Sequence, residues 1–235
     1  METTFRHIGV IHSCYTEKFG IPRQPGLVTE SYAEVEILPP YNREEAFREL
    51  DRFSHIWIVF VMHAIPSGEW KPCVRPPRLG GNQRVGVFAS RSGFRPNPIG
   101  LSAVGLKEII QKNEDIRLVV TGGDFLDQTP VLDIKPYLPY ADLISAAVGG
   151  FAPEAPAAEM DIRFSPQAQT ACREKEASGY PGLSRLIVQT LSLDPRPAYY
   201  AVAPVRKTFG MKLYRLDIKW EIRDNHILVT AIENG

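Results

Sequence analysis

The chain has 235 residues, and its 27 basic side chains cancel 27 acidic ones to give a formal net charge of zero. Hydrophobic residues at 44 % and charged residues at 23 % supply a packed core and exclude wholesale disorder. The balance also excludes a uniformly basic coat for nucleic acid, although not a local basic face. Met1 to Val10 holds Glu2, Arg6 and His7 and no apolar run, so no signal peptide is read there. The longest apolar stretch, Ile56 to Met62, is far below the roughly 20 residues that span a bilayer. Cys14, Cys73 and Cys172 lie far apart with no CxxC pair, so neither a disulfide framework nor a metal site is expected. The expectation is a cytoplasmic protein with free thiols.

The first half reads as β structure. Ile8, Val10 and Ile11 suggest a first strand, and Glu34 to Leu38 alternates polar and apolar before Pro39-Pro40 stops it. Asn42 to Leu50 predicts a short helix, with Asn42 as its cap and Ala46, Phe47 and Leu50 as an apolar stripe. His55 to Met62 is continuous, β-branched and aromatic, the pattern of a strand covered on both faces. Further strands are expected at Val85 to Ala89, Ser102 to Ile110 and Ile116 to Thr121, with a turn at Asn113-Glu114 between the last two. So many strands with one short helix favour a single sheet closed into a β-barrel over a sandwich.

Composition shifts between Tyr140 and Pro156, where Ser, Ala, Gly and Pro dominate as in a linker. The expected division is a β-barrel domain over 1–145 and a small α+β domain over 146–235, in a mainly β protein. In the second unit, Met160 to Phe164 alternates as a strand, and helices are predicted over Pro166 to Ala177 and Ser184 to Leu193. Terminal strands are read at Leu213 to Ile222 and Ile227 to Ile232 around a turn at Asp224-Asn225. A unit of roughly 80 residues is near the lower size for independent folding, so it is expected to lean on the first.

Residues 66–100 are the most unusual stretch, with six prolines, six glycines and six Lys/Arg residues against the single acid Glu69. A loop this long is uncommon unless functional. Arg75, Arg78, Arg84, Arg91 and Arg95 make a positive surface suited to phosphate; the alternative is a proline-braced loop of solvated arginines. Within it, Arg91-Ser-Gly-Phe-Arg-Pro-Asn-Pro-Ile-Gly100 is rigid at Pro96 and Pro98 and would present Arg91, Arg95 and Asn97 in fixed geometry. Gly93 and Gly100 allow positive φ or a close backbone approach. In the register of Val131 to Lys135, Val131, Asp133 and Lys135 share one side of a strand. Asp133 and Lys135 are then either a pair that handles charge and protons or an exposed salt bridge. His63 is either a site residue or a core histidine. Asp194-Pro-Arg-Pro197 holds Arg196 before Tyr199 and Tyr200, which offer faces for an unpaired base or pack against the neighbouring domain. GxGxxG after a strand, a Walker lysine, GxSxG and HExxH are all absent.

Five motifs occur together and in order: Pro22-Arg-Gln-Pro-Gly26, Arg75-Pro-Pro-Arg-Leu-Gly-Gly81, Arg91 to Gly100, Val131-Leu-Asp-Ile-Lys-Pro-Tyr137 and Asp194-Pro-Arg-Pro197. With them the chain resembles the TsaA-like family over nearly its whole length. The resemblance implies an S-adenosylmethionine-dependent methyltransferase built on an antiparallel single-sheet β-barrel rather than a dinucleotide-binding sheet. It also implies a homodimer with the cofactor near the subunit contact, acting on the exocyclic nitrogen of threonylcarbamoyladenosine next to a tRNA anticodon. By the same resemblance the cofactor residues are Pro22, Arg23, Gln24, His63, Ala64, Arg91, Leu101 and Asp127-Gln128-Thr129-Pro130. The partner is the anticodon stem-loop, with neither membrane nor metal.

Methyl transfer from a sulfonium is an in-line displacement, so alignment dominates, and the weakly nucleophilic nitrogen must shed its proton. Asp133 is the expected base, with Lys135 or Tyr137 orienting or stabilising the developing charge. Arg75, Arg78, Arg84, Arg95, Asn97, Arg196 and Tyr199 are the expected tRNA contacts. A non-catalytic RNA-binding adaptor, or a methyltransferase of the same fold with another substrate, are the competing readings.

Overall fold

The computed structural model describes residues 2–66, 69–157, 160–196, 208–224 and 226–235. Period-two alternation in the first half closes into a barrel, because each strand has one apolar face to bury and closure leaves no open edge. The barrel strands are β1 (Gly9–Ser13), β2 (Tyr32–Ile37), β3 (His55–Val61), β6 (Ile99–Lys112), β7 (Asp115–Thr121) and β8 (Thr129–Pro136). Their order around the wall is β1-β2-β7-β6-β3-β8, every pair antiparallel. Two short strands, β4 (Cys73–Val74) and β5 (Val85–Gly86), pair inside the arginine-rich loop. Ile11, Val35, Ile56, Ile58, Leu118 and Val131 fill the barrel, with Phe60 edge-on to Phe125 at 5.1 Å. Gly100 faces that ring: a Cβ there would stand 2.2 Å from Phe60. Its φ is not positive, so the glycine is required by a close approach to the core rather than by a turn.

After the short helix α1 (Pro139–Asp142), the second half forms β9 (Asp161–Phe164), α2 (Pro166–Ala177), α3 (Leu183–Ser192), β10 (Thr208–Leu213), β11 (Leu216–Arg223) and β12 (His226–Asn234). The sheet order is β10-β11-β12-β9, with β9 parallel to β12. The α2 range matches the sequence reading: Ser165 caps it by accepting from the Ala168 amide at 3.1 Å, and Pro166 occupies the first turn.

Five expectations are corrected, the first being the strand expected over Val85 to Ala89, which ends at Gly86 and passes into a 3₁₀ turn over Val87–Ala89. Asn42 is not a cap; its Nδ2 donates to the Glu114 carbonyl at 2.6 Å, and the predicted helix is two 3₁₀ turns, Glu44–Phe47 and Leu50–Arg52. Strand β3 is not covered on both faces: Ile56, Ile58 and Phe60 point inward, while Trp57, Val59 and Val61 are half-buried on the outer wall. Val131 does not share a side with Asp133, because the register slips opposite Val59 and Phe60, a bulge that re-aims β8. The strand read over Leu213 to Ile222 is two strands meeting at Tyr214, which adopts φ 56°.

The two halves share a core. The segment after β1 leaves the barrel and buries Cys14, Tyr15 and Val28 among Leu183, Ile187, Met211, Leu213 and Trp220 of the second half. Burial there pushes the Cys14 thiol up to about 12. Main-chain and side-chain bonds reinforce the contact: the Tyr214 amide donates to the Cys14 carbonyl at 2.6 Å, and the Glu30 amide donates to Gln189 at 3.0 Å.

Candidate cofactor and RNA site

The barrel mouth gathers four segments that are distant in sequence. Residues 14–28 are anchored from below by the second core and from the side by the Gly26 amide, which donates to the Gly122 carbonyl at 2.8 Å. This leaves Pro22 buried, Gln24 half-buried and Arg23 exposed. Arg91, exposed at the end of the arginine-rich loop, donates through Nη1 to Gln24 Oε1 at 2.6 Å, joining positions 67 residues apart. Lys18 Nζ donates to the Ala64 carbonyl at 2.7 Å and ties the same segment to the end of β3.

The turn over 122–128 closes the mouth. Asp127 Oδ1 accepts from the Ser13 amide at 2.9 Å, and its own amide donates to the Tyr15 carbonyl at 2.8 Å. Gln128 takes φ 63° and lies within 3.2 Å of His12. Buried Thr129 donates to the Leu126 carbonyl at 2.7 Å, and its hydroxyl lies 3.3 Å from His63 Nδ1. His63 is exposed, so it is not a core histidine.

Leu101 stands apart, on the outer wall and 52 % exposed. Strand β6 pairs with β7 only from Gly105 onward, so its first half, Ile99 to Val104, has β3 on one side and no strand on the other among the described residues. Backbone donors and acceptors beside Leu101 are therefore open to a ligand.

A carboxyl that the sequence reading passed over sits beside this edge. Ser102, fully buried, donates to Asp124 Oδ1 at 2.6 Å. Burial raises the Asp124 pKa above the ordinary carboxylate range, while the Ser102 hydroxyl and the Arg91 charge oppose the shift. In sequence, Gly122-Gly123-Asp124 looks like a turn acid; only the barrel brings it to Ser102.

Of the expected catalytic residues, Lys135 and Tyr137 lie away from the mouth. Strand β8 starts at the mouth with Thr129 and runs away from it, so Lys135, six residues on, is about 20 Å down the wall. Lys135 Nζ pairs with Asp133 Oδ2 at 2.8 Å on the outer surface, Lys135 exposed and Asp133 half-buried. This is the exposed salt bridge of the two alternatives. Tyr137 packs on Trp57 with ring centroids 5.6 Å apart. Asp133 does share an outer row with Val59 and Leu101 across three strands.

A cleft of about 1010 Å³ opens beside Arg91, walled by Gln24, by Arg75 and Arg78, by Phe88, and by 151–156 of the linker. Arg23 also lines it; Arg84, Arg95 and Asn97 do not. Arg95 is committed to its own loop, donating through Nη1 to the Val87 and Ser90 carbonyls at 3.0 and 2.7 Å. Arg196 is likewise held by Asp194 through two 2.7 Å bonds, with its side chain only 11 % exposed. These two arginines brace turns rather than present free guanidinium groups. Tyr199 and Tyr200 lie outside the described residues.

The donor set suits S-adenosylmethionine. Gln24, Arg23 and Arg91 match a carboxylate, Asp127 matches a cationic group, and the open β6 edge matches a heterocycle that needs directional bonds.

Comparison with known proteins agrees. Residues 10–143 match the family model described as the tRNA-methyltransferase O N-terminal domain, and residues 157–235 match the TrmO C-terminal domain. A tRNA (adenine(37)-N6)-methyltransferase from Escherichia coli (strain K12) is 46 % identical over 97 % of each chain. A Pseudomonas aeruginosa protein described as a putative S-adenosylmethionine-dependent methyltransferase, RcsF, is 44 % identical over 97 % of this chain and 96 % of its own. The crystal structure of TrmO from Pseudomonas aeruginosa superposes with a TM-score of 0.84 at 36 % identity, over all of this chain and 99 % of the other. The two matched halves, their order, and the identity and coverage of these relatives place the chain in the TrmO family.

Proposed function

We propose that the chain is an S-adenosylmethionine-dependent tRNA methyltransferase that methylates the exocyclic nitrogen of adenosine 37, in its threonylcarbamoylated form. The observation that carries the reading is the 2.6 Å contact between Gln24 and Arg91, which joins two of the five family motifs at the barrel mouth. Pro22 to Gln24, His63, Ala64, Arg91, Leu101 and Asp127 to Pro130 are the residues that would hold the cofactor, Leu101 through its backbone. When bound, the cofactor supplies an electrophilic methyl on a sulfonium. The rest of the task is alignment, and a mouth whose loops are tied to the barrel and to the second core is pre-organised for it.

The acceptor nitrogen must lose a proton. We assign its acceptor to Asp124, which the Ser102 hydroxyl holds beside the open edge of β6, rather than to Asp133, which is paired with Lys135 on the outer surface. A carboxyl held above its ordinary range is the better base for this role. Arg75, Arg78 and Arg84, exposed and without an acidic partner among the described residues, would contact phosphate.

The outer wall around Val59, Val61, Ile99 and Leu101 is apolar and open, and would be covered by a second copy of the chain in a homodimer. Cytoplasmic residence follows from a tRNA substrate.

Mass spectrometry of nucleosides from cells that lack the protein tests the reading. Threonylcarbamoyladenosine should persist without its methyl group, and re-expression should restore the methylated form. Unchanged methylated nucleoside in the deletion strain would rule the assignment out.

A further inference from the structure

Phe88 is 73 % exposed on the 3₁₀ turn Val87–Ala89, inside the most basic stretch of the chain. An apolar ring is costly to leave in water, and this one is held in place. The Arg95 guanidinium carbon lies 5.4 Å from its centroid, while the same guanidinium is fixed to the Val87 and Ser90 carbonyls. Arg95 therefore presents Phe88 rather than reaching for phosphate. The ring lines the cleft beside Arg91, and another aromatic side chain, Phe151, reaches the same cleft from the linker. The lining carries Arg23, Arg75, Arg78 and Arg91 against the single acid Glu154. Its volume, about 1010 Å³, is at the upper end for small-ligand sites and leaves room for a nucleotide with its flanking phosphates.

Aromatic faces beside free guanidinium groups are the chemistry of an unstacked nucleotide: rings take the base, and Arg75 and Arg78 take the backbone, with Arg23 and Arg91 left to the cofactor. An enzyme that modifies a base nitrogen must also take that base out of its stack. We infer that this cleft is the pocket for an unstacked purine of the RNA substrate, with Phe88 and Phe151 as its stacking surfaces. The linker is then one wall of the acceptor site and not a mere tether. The inference rests on the tRNA methyltransferase reading above and adds the residues that grip the base.

The test is steady-state methylation of an anticodon stem-loop by Phe88→Ala, Phe88→Tyr and Phe151→Ala, beside calorimetric titration of each variant with S-adenosylmethionine. Phe88 is exposed and its loop keeps the Arg95 bonds, so the substitutions should leave the fold intact. Loss of one stacking face should raise the KM for RNA by about 5- to 150-fold while the cofactor Kd stays at the wild-type value. Because stacking is not ionic, the salt dependence of RNA binding should be unchanged, and Phe88→Tyr should restore the KM. Wild-type KM in both alanine variants, with methyl transfer intact, would overturn the pocket and spare the function. An equal rise in cofactor Kd would also overturn it. Failure of the wild-type chain to transfer methyl at all would sink both.

Discussion

Two loops meet at the Gln24–Arg91 contact, and they are made rigid in opposite ways. Residues 14–28 are held by burial: Cys14, Tyr15 and Val28 are inside the core of the second half. The arginine-rich loop buries almost nothing and is braced locally by prolines, 3₁₀ turns and the Arg95 bonds to its own carbonyls. The first loop therefore couples the site to global stability, whereas the second can change its surface chemistry at little cost to the fold. A site built from one arm of each kind has a fixed floor and an adaptable wall.

The largest effect should come from breaking the buried arm. Tyr15→Ala should cost about 3–5 kcal/mol in chemical denaturation, as for other buried aromatic truncations, and weaken cofactor binding with it. Arg91→Ala tests the junction: the fold should be kept within about 0.5 kcal/mol, but the cofactor Kd should rise about tenfold in calorimetry. On the braced arm, replacing Arg75 and Arg78 together by Ala should leave thermal stability unchanged. The slope of log K for tRNA against log salt should become shallower by about 1.5, uniformly across RNA sequences.

The smallest stability effect, and the most diagnostic, concerns Asp124. Its pKa is raised in the folded state, so the native protein binds that proton more tightly than the unfolded chain. Stability from this group is present below the ordinary aspartate range and is lost as pH rises through the folded pKa. Asp124→Asn should therefore be as stable as wild type or more stable at pH 7, with a flatter stability profile across mildly acidic pH, yet slower in methyl transfer. A variant that is both less stable at pH 7 and fully active would remove Asp124 from the chemistry.

How much of this was legible in the sequence follows from the range of each interaction. Strand β2 and helix α2 could be read because period-two alternation and the Ser165-Pro166 cap are local signals, and β3 was legible as a strand through its β-branched and aromatic run although not through its faces. The boundary of β10 could not, since Tyr214-Arg215 turns the chain with φ 56° at Tyr214 and without the glycine or asparagine that marks such turns. Asn42 has the identity of a cap, but the Glu114 carbonyl from another loop competed for it. The bulge opposite Val59 and Phe60 moved Asp133 off the side expected from strict alternation.

The cofactor motifs were visible as strings through their resemblance to a family. Their convergence through Gln24 and Arg91, and the approach of Ser102 to Asp124, needed the closed barrel. The zero net charge resolves in the same way: Arg23, Arg75, Arg78 and Arg91 are concentrated around one cleft, and the acids lie mostly elsewhere.

The central claim is that the cofactor is held where the buried arm and the braced arm meet. A double-mutant cycle on S-adenosylmethionine affinity, using Gln24→Ala, Arg91→Ala and both together, tests it most directly. The account predicts that each single variant weakens binding and that the pair is no weaker than the worse single, a coupling of about 1 kcal/mol or more. Strictly additive losses, or wild-type affinity in all three variants, would contradict it.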